Sequence, residues 1–279
     1  MTRHNPTHQH FNSSKPLVQE DYVVPMRNCV IVGSGRSGSS LAAGALSNTG
    51  CYEGRGLVPP RDANPTGFFE DREVNRINEE LLATVTQKRP SLLWKWWGRN
   101  RPGFGQRWLA RVPLQTPIES SPLLDEQIQD CVRQQPYCLK DPRFSYTLPL
   151  WRPWLKDAAF ICTFRDPATT VNSMLKEVAT VEYMKHFRIS IPEALEVWRL
   201  MYQHIVRIHA NDGDWLFVHY EQLLNGQGIR KIGQLTGATV DSNFANPDLN
   251  RSKQHREIPP DLHELYAELC DLAEYQVAA

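Results

Sequence analysis

Asn28-Cys29-Val30-Ile31-Val32-Gly33-Ser34-Gly35-Arg36-Ser37-Gly38-Ser39-Ser40-Leu41 is the stretch on which the fold reading turns. Residues 28–32 form a short apolar run closed by glycine, the pattern of a strand buried on both faces of a parallel sheet. A helix is expected over 41–46. Between them Gly33, Gly35 and Gly38 permit backbone angles that turn successive N–H groups inward, and the helix start adds a partial positive charge. Such a turn cradles a phosphate or sulfate group; a glycine turn without a ligand is the other reading of the same residues. A nucleotide-hydrolysing loop has the form G-x-x-x-x-G-K-[ST]. Laid over Gly33, that form fits Gly38 but meets Ser39 where lysine belongs, and the cation stands inside the loop at Arg36. The departure disfavours an ATPase or kinase and leaves a loop suited to a 5′-phosphate end.

Outward from this loop, strands and helices alternate. Val74, Ile77, Leu81 and Val85 recur three and four apart, so an amphipathic helix is expected over 73–85, capped by Asp71. Further strands are expected over 137–140, 158–163 and 215–219. Asp166-Pro167 supplies a cap and a first-turn proline for the helix after the third strand. Ala194, Trp198, Met201, Ile205 and Ile208 mark a long core helix, and Leu262, Leu265, Leu269 and Leu272 a terminal one. Residues 88–122, with Trp94, Trp96, Trp97, Lys95 and Arg99, lack a clean period and read as a long surface insertion. The tryptophans suit either a stacking wall for an acceptor or ordinary packing. The alternation implies an α/β domain with a mainly parallel sheet and a ligand at the strand C-terminal ends.

Composition narrows the classes. The 279 residues are 41% hydrophobic and 22% charged, which excludes a wholly disordered, collagenous or coiled-coil chain. Lys+Arg and Asp+Glu number 31 each, so no global field favours nucleic acid and an anion must be caught locally. No apolar run approaches the ~20 residues of a membrane span. Residues 1–27 read as a disordered leader without a secretory signal; His4, His8 and His10 there are scattered rather than a metal site. Cys29, Cys51, Cys131, Cys138, Cys162 and Cys270 include no C-x-x-C pair and suit buried, reduced thiols.

A second anion device follows the third expected strand. In Thr163-Phe164-Arg165-Asp166-Pro167, Arg165 stands at a strand end beside a helix start, placed to clamp an anion or to make a structural ion pair. Ser173 lies two turns into that helix, less obviously within reach.

Taken together, Gly33 to Ser40, Asn64-Pro65-Thr66-Gly67-Phe68-Phe69-Glu70-Asp71, Lys140-Asp141-Pro142-Arg143, Phe164-Arg165-Asp166-Pro167 with Ser173, and Tyr220-Glu221-Gln222-Leu223-Leu224 resemble the sulfotransferases that use 3′-phosphoadenosine 5′-phosphosulfate. The likeness is to the bacterial branch related to carbohydrate and tyrosylprotein sulfotransferases and covers about residues 28–256. It implies a P-loop-like three-layer sandwich, a central mainly parallel sheet flanked by helices. Residues 28–279 would form a single domain with an insertion around 88–122. It further implies that the loop (Gly35, Arg36, Ser37, Gly38, Ser39 and Ser40) holds the 5′-phosphosulfate, and that Arg165 and Ser173 bind the 3′-phosphate. Arg251 lies where relatives place a further 3′-phosphate contact; a solvated basic turn is the alternative.

In-line sulfuryl transfer asks for positioning, for donors such as the loop amides and Arg36 aimed at the developing charge, and for a base at the acceptor hydroxyl. Glu70 ranks first as base, its flanking aromatics expected to raise its pKa by desolvation, with a helix-dipole role as the alternative. Asp141 ranks second. It lies roughly where cytosolic relatives carry a catalytic histidine that is absent here, and it also suits a turn. Glu53 is a distant third. Lys140 is expected either to stabilise the transferring group or to pair with a nearby acid. His219 suits a hydrogen-bonded core histidine better than a base. No metal is expected. The acceptor would be a small molecule or glycan, with no nucleic-acid partner, in a cytoplasmic enzyme. The rival readings are an ATP-dependent kinase-type phosphotransferase and a non-catalytic nucleotide-binding protein.

Overall fold

In a computed structural model of the protein, the residues described are 25–61, 64, 67–86, 101–241, 244–245 and 257–277. Four parallel strands, β1 (Cys29–Val32), β2 (Cys138–Lys140), β3 (Ala159–Phe164) and β4 (Asp214–His219), lie in the order β2-β1-β3-β4. The register sets Cys29 beside both Cys138 and Ala159, and Phe164 beside His219. Because side chains alternate along a strand, each strand feeds two cores. Val30, Val32, Leu139, Phe160, Cys162 and Phe164 pack on one face, while Cys29, Ile31, Cys138, Ala159 and Ile161 pack on the other.

Among the described residues the helices are α1 (Ser39–Leu46), α2 (Arg72–Ala83), α3 (Pro122–Cys131), α4 (Phe144–Trp151), α5 (Pro167–Thr180), α6 (Ile191–His204), α7 (Tyr220–Leu224), α8 (Gln227–Thr236) and α9 (Pro260–Leu272). Residues of α1 and α8 cover the second face; residues of α2, α3, α4, α5, α6 and α9 cover the first. The expected three-layer arrangement is therefore the observed one. A wider π-helical turn, Ile205–His209, prolongs α6.

The anticipated caps form. Asp71 accepts from Glu73 N and Val74 N at the start of α2, and Asp166 accepts from Thr169 N ahead of Pro167 in α5. The expected helix at 73–85 ends at Ala83, two residues short of Val85. Residues 101–113 correct the expectation of a surface insertion. Trp108, Leu109, Ala110 and Val112 are buried in the larger core, because this stretch carries apolar side chains that the sheet face can cover. The tryptophans at 94, 96 and 97 lie outside the described residues. All six cysteines are free thiols, five of them buried and Cys51 half-buried. Among the described residues no helix is long and apolar enough to cross a membrane, and no cluster of three His, Cys, Asp or Glu forms a metal site.

Candidate active site

The sheet order places the chemistry. β1 has β2 on one side and β3 on the other, so the chain leaves its C-terminal end at a point where strand connections diverge, the usual position of a ligand crevice. The residues just past the strands converge there: Gly33 to Ser40 after β1, Asp141 to Arg143 after β2, Arg165 after β3 and Tyr220 after β4.

The loop after β1 is built for close approach. Gly33 has φ 136°, and a Cβ there would stand 2.2 Å from the Thr163 carbonyl oxygen. Gly38, at the start of α1, has φ 97°, and its Cβ would come within 2.7 Å of the Tyr220 ring. Between them Arg36 adopts φ 71°, a left-handed conformation that disfavours a side chain. It is held there by side-chain contacts. Its Nε donates to Ser173 Oγ at 3.0 Å, and its guanidinium lies 3.3 Å from Glu177 Oε2. Ser173, two turns along α5, is thus brought to the loop.

Arg165 is buried, with its guanidinium 4.2 Å over the Tyr220 ring centroid. Desolvation, together with the nearby positive charge of Arg36, lowers its pKa from the usual guanidinium value. Gly35, Arg36, Ser40, Glu70, Arg165 and Ser173 all line one cavity of about 770 Å³. Ser37 is fully buried, its Oγ 3.0 Å from Thr163 Oγ1, and does not line the cavity. Arg251 lies outside the described residues.

Glu70 and Lys140 form the centre of the cleft. One Glu70 oxygen meets the Lys140 ammonium, and the other accepts from Asn75 Nδ2 at 2.9 Å. Lys140 also donates to Ser40 Oγ at 3.3 Å and to Phe68 O at 3.2 Å, tying the acid to the glycine loop. The expected upward shift of Glu70 is corrected. Burial does push its pKa up, but the charges of Lys140 and Arg143 and the hydrogen bonds outweigh it, and the pKa lies below its ordinary 4.5. Pairing with an acid is one of the two roles expected of Lys140; the nearness of Arg143 comes from tertiary packing alone.

Asp141 has a different place. It has no exposed surface, does not line the cavity, and accepts from Arg143 N at 2.8 Å, Arg143 Nη1 at 2.9 Å and Asn78 Nδ2 at 3.1 Å. Burial raises its pKa in spite of Arg143. Its role in this network is to hold Arg143. Glu53 does not line the cavity either; Ser47 Oγ donates to it at 3.4 Å. His219 is the expected core histidine. It is buried, accepts from Glu221 N at Nδ1 and lies 3.1 Å from Tyr266 Oη at Nε2.

Sequence reasoning assigned no role to several cavity residues. Tyr220, the ring under Arg165, lay within a quoted motif without one. Arg72, Asn75, Arg76 and Glu79 line the cavity from α2, and Lys176, Glu177 and Thr180 join the expected Ser173 from α5. Both sets follow the i, i+3, i+4, i+7 spacing of one helix face, a signal visible in the sequence once the polar side is examined.

A parallel α/β domain with a glycine-rich loop and two arginines at its strand ends is a scaffold able to hold an anion. The profile of the Sulfotransferase family matches residues 29–230, and the chain belongs to that family. Among solved structures, the sulfotransferase domain from the Synechococcus PCC 7002 olefin synthase is 15% identical, with a TM-score of 0.50 over 92% of this chain and 98% of that one. The sulfotransferase STF9 from Mycobacterium avium is 14% identical, with a TM-score of 0.49 over 90% of this chain and 78% of that one. The first of these likenesses bears on the fold alone. A search of curated proteins finds none that matches.

Proposed function

We propose that the protein transfers a sulfuryl group from 3′-phosphoadenosine 5′-phosphosulfate to a hydroxyl or amine of an acceptor, with Glu70 as general base. The single observation that carries this reading is that Arg36 in the glycine loop and Arg165 after β3 line one cavity of about 770 Å³. That volume lies within the range of small-molecule and cofactor sites, and two cations lining one cavity suit the phosphates of one nucleotide. The loop amides with Arg36, Ser39 and Ser40 would hold the 5′-phosphosulfate, and Arg165 with Ser173 the 3′-phosphate, with Tyr220 holding Arg165 in place.

In the reaction the acceptor oxygen forms a bond to sulfur as the bridging bond to the 5′-phosphate breaks. Glu70 receives the acceptor proton, and Arg36, Lys140 and the loop amides stabilise the negative charge that gathers on the leaving phosphate oxygen. The Lys140 bridge between Glu70 and Ser40 supports this division of labour, since it sets the base directly beside the loop. The absence of a P-loop lysine at Ser39 favours this reading over a kinase.

Calorimetric titration without magnesium tests the donor. Adenosine 3′,5′-bisphosphate is expected to bind far more tightly than AMP or ADP. Arg165→Ala is expected to remove about 1.5–3 kcal/mol of that affinity, the worth of a charged hydrogen-bond partner. Equal affinity for AMP, or an unchanged Arg165→Ala variant, sinks the assignment of the 3′-phosphate site.

A further inference from the structure

We infer that the acceptor is itself an anion: a hydroxylated molecule with an apolar or aromatic body and an acidic group, carboxylate, sulfate or phosphate, bound at the cavity wall by Arg61, Arg72 and Lys176. The inference rests on the sulfotransferase reading, and it follows from how charge is distributed in the cleft. Most cations in and under it are neutralised. Lys140 pairs with Glu70, Arg143 with Glu79 and Asp141, Arg107 with Glu79, and Arg76 with Glu73 and Glu80. Arg61, Arg72 and Lys176 also line the cavity, yet none has a carboxylate within 4.0 Å among the described residues. In a chain with 31 basic and 31 acidic residues, three such cations lining one cavity are a local excess.

Their positions fit an acceptor better than the donor. Arg72 stands one helical turn before Asn75, the residue that holds Glu70, so it lies beside the proposed base. Arg61 lies 5.2 Å over the Tyr183 ring centroid, a contact that orients the guanidinium without neutralising it. Tyr183 in turn donates to Glu177, one residue from Lys176 on α5. Phe104, with 68% of its surface exposed, and Trp108 line the same cavity and offer apolar surface to the body of the molecule.

Binding to the complex with adenosine bisphosphate tests this, because the donor's phosphate subsites are then filled. The probes are two matched pairs, 4-hydroxyphenylacetate with its amide and 10-hydroxydecanoate with its amide; 4-hydroxybenzylsulfonate and 4-hydroxybenzylphosphonate then distinguish the acid types. At least one acid is expected to bind about 10-fold or more tighter than its amide, as a charged contact implies. That preference is expected to disappear in the triple variant Arg61→Gln, Arg72→Gln, Lys176→Gln. Absence of binding by both acids, equal binding of acid and amide, or a preference that survives the triple variant overturns the inference; in the last case the acid occupies the sulfuryl position. Adenosine bisphosphate affinity in the same titrations reports the donor site separately. Should it fail to bind, the donor reading falls, and the acid–amide comparison on the free protein and the triple variant still decides whether the wall selects anions.

Discussion

Glu70 and Asp141 are neighbours in one buried patch of charge, yet their proton affinities move in opposite directions. Both are desolvated, which favours the neutral acid; Glu70 lies against Lys140 and Arg143 and stays below 4.5, while Asp141, with Arg143 alone beside it and the Glu70 charge nearby, goes up. Only Glu70 reaches the cavity. An ionised carboxylate there is ready to accept a proton throughout the neutral range, so the acidic limb of kcat/KM is expected below pH 4.5 rather than near neutrality. Glu70→Gln retains an oxygen for Lys140 but not the basicity. Steady-state kinetics is expected to show turnover reduced at least ~10²-fold, with adenosine bisphosphate affinity nearly intact. Normal turnover in Glu70→Gln, with Asp141→Asn inactive but equally stable, would move the base to Asp141.

Helix α2 shows how one element serves both core and site. Val74, Ile77 and Leu81 are buried in the larger core, while Arg72, Asn75, Arg76 and Glu79 turn to the cleft. Glu79 is the anchor of that second face. It is 1% exposed and accepts from Arg143 Nε at 2.7 Å, from Gly105 N and Arg107 Nη1 at 2.9 Å each, and from Arg107 N at 3.0 Å. These bonds fasten the segment carrying Phe104 and Trp108 to the helix that follows Glu70. Glu79→Ala leaves two arginines with a lost partner and is expected to cost about 3–5 kcal/mol, read as a lowered urea midpoint at unchanged slope. A loss under 1 kcal/mol would mean that Asp141 and water replace it. The apolar half of α2 was legible from its spacing, as were the caps Asp71 and Asp166. The ion network was not, since Glu79, Arg107 and Arg143 meet only through tertiary packing. Helix α4 escaped for the opposite reason: Phe-Ser-Tyr-Thr-Leu-Pro-Leu-Trp is buried on nearly every side and contains Pro149, so it has neither a polar stripe nor uninterrupted helix formers.

For the molecule as a whole, the parallel sheet and the strand ends where the cavity lies followed from one strand–glycine–helix stretch, because a strand buried on both faces requires helices on both sides. The zero net charge concealed what matters at the site, a cleft lined by eight Lys and Arg residues and three carboxylates. It also conceals the response to acid. His204, His209 and His219 are buried and hold neutral rings. Desolvation lowers the first, brings His209 to about 4 and, with Arg165 nearby, brings His219 to about 3. A folded-state value below the unfolded 6.5 means that the unfolded chain binds more protons between the two. Stability is then full above pH 6.5, declines as pH falls, and stops declining from this cause once the folded values are passed. Each histidine contributes a slope of at most about 1.4 kcal/mol per pH unit in that window. Glu70, depressed below 4.5, adds a loss only under that value. Urea unfolding from pH 7.5 to 3.5 is therefore expected to show stability falling from about pH 6.5, with Asp141 and Glu53, whose pKa values burial raises, opposing that slope toward its lower end. His209→Gln, which retains a donor for the Ser145 carbonyl oxygen, is expected to flatten the profile by the share of one proton. A profile that His209→Gln leaves unchanged would mean that this ring is charged inside the fold, or that solvent reaches it.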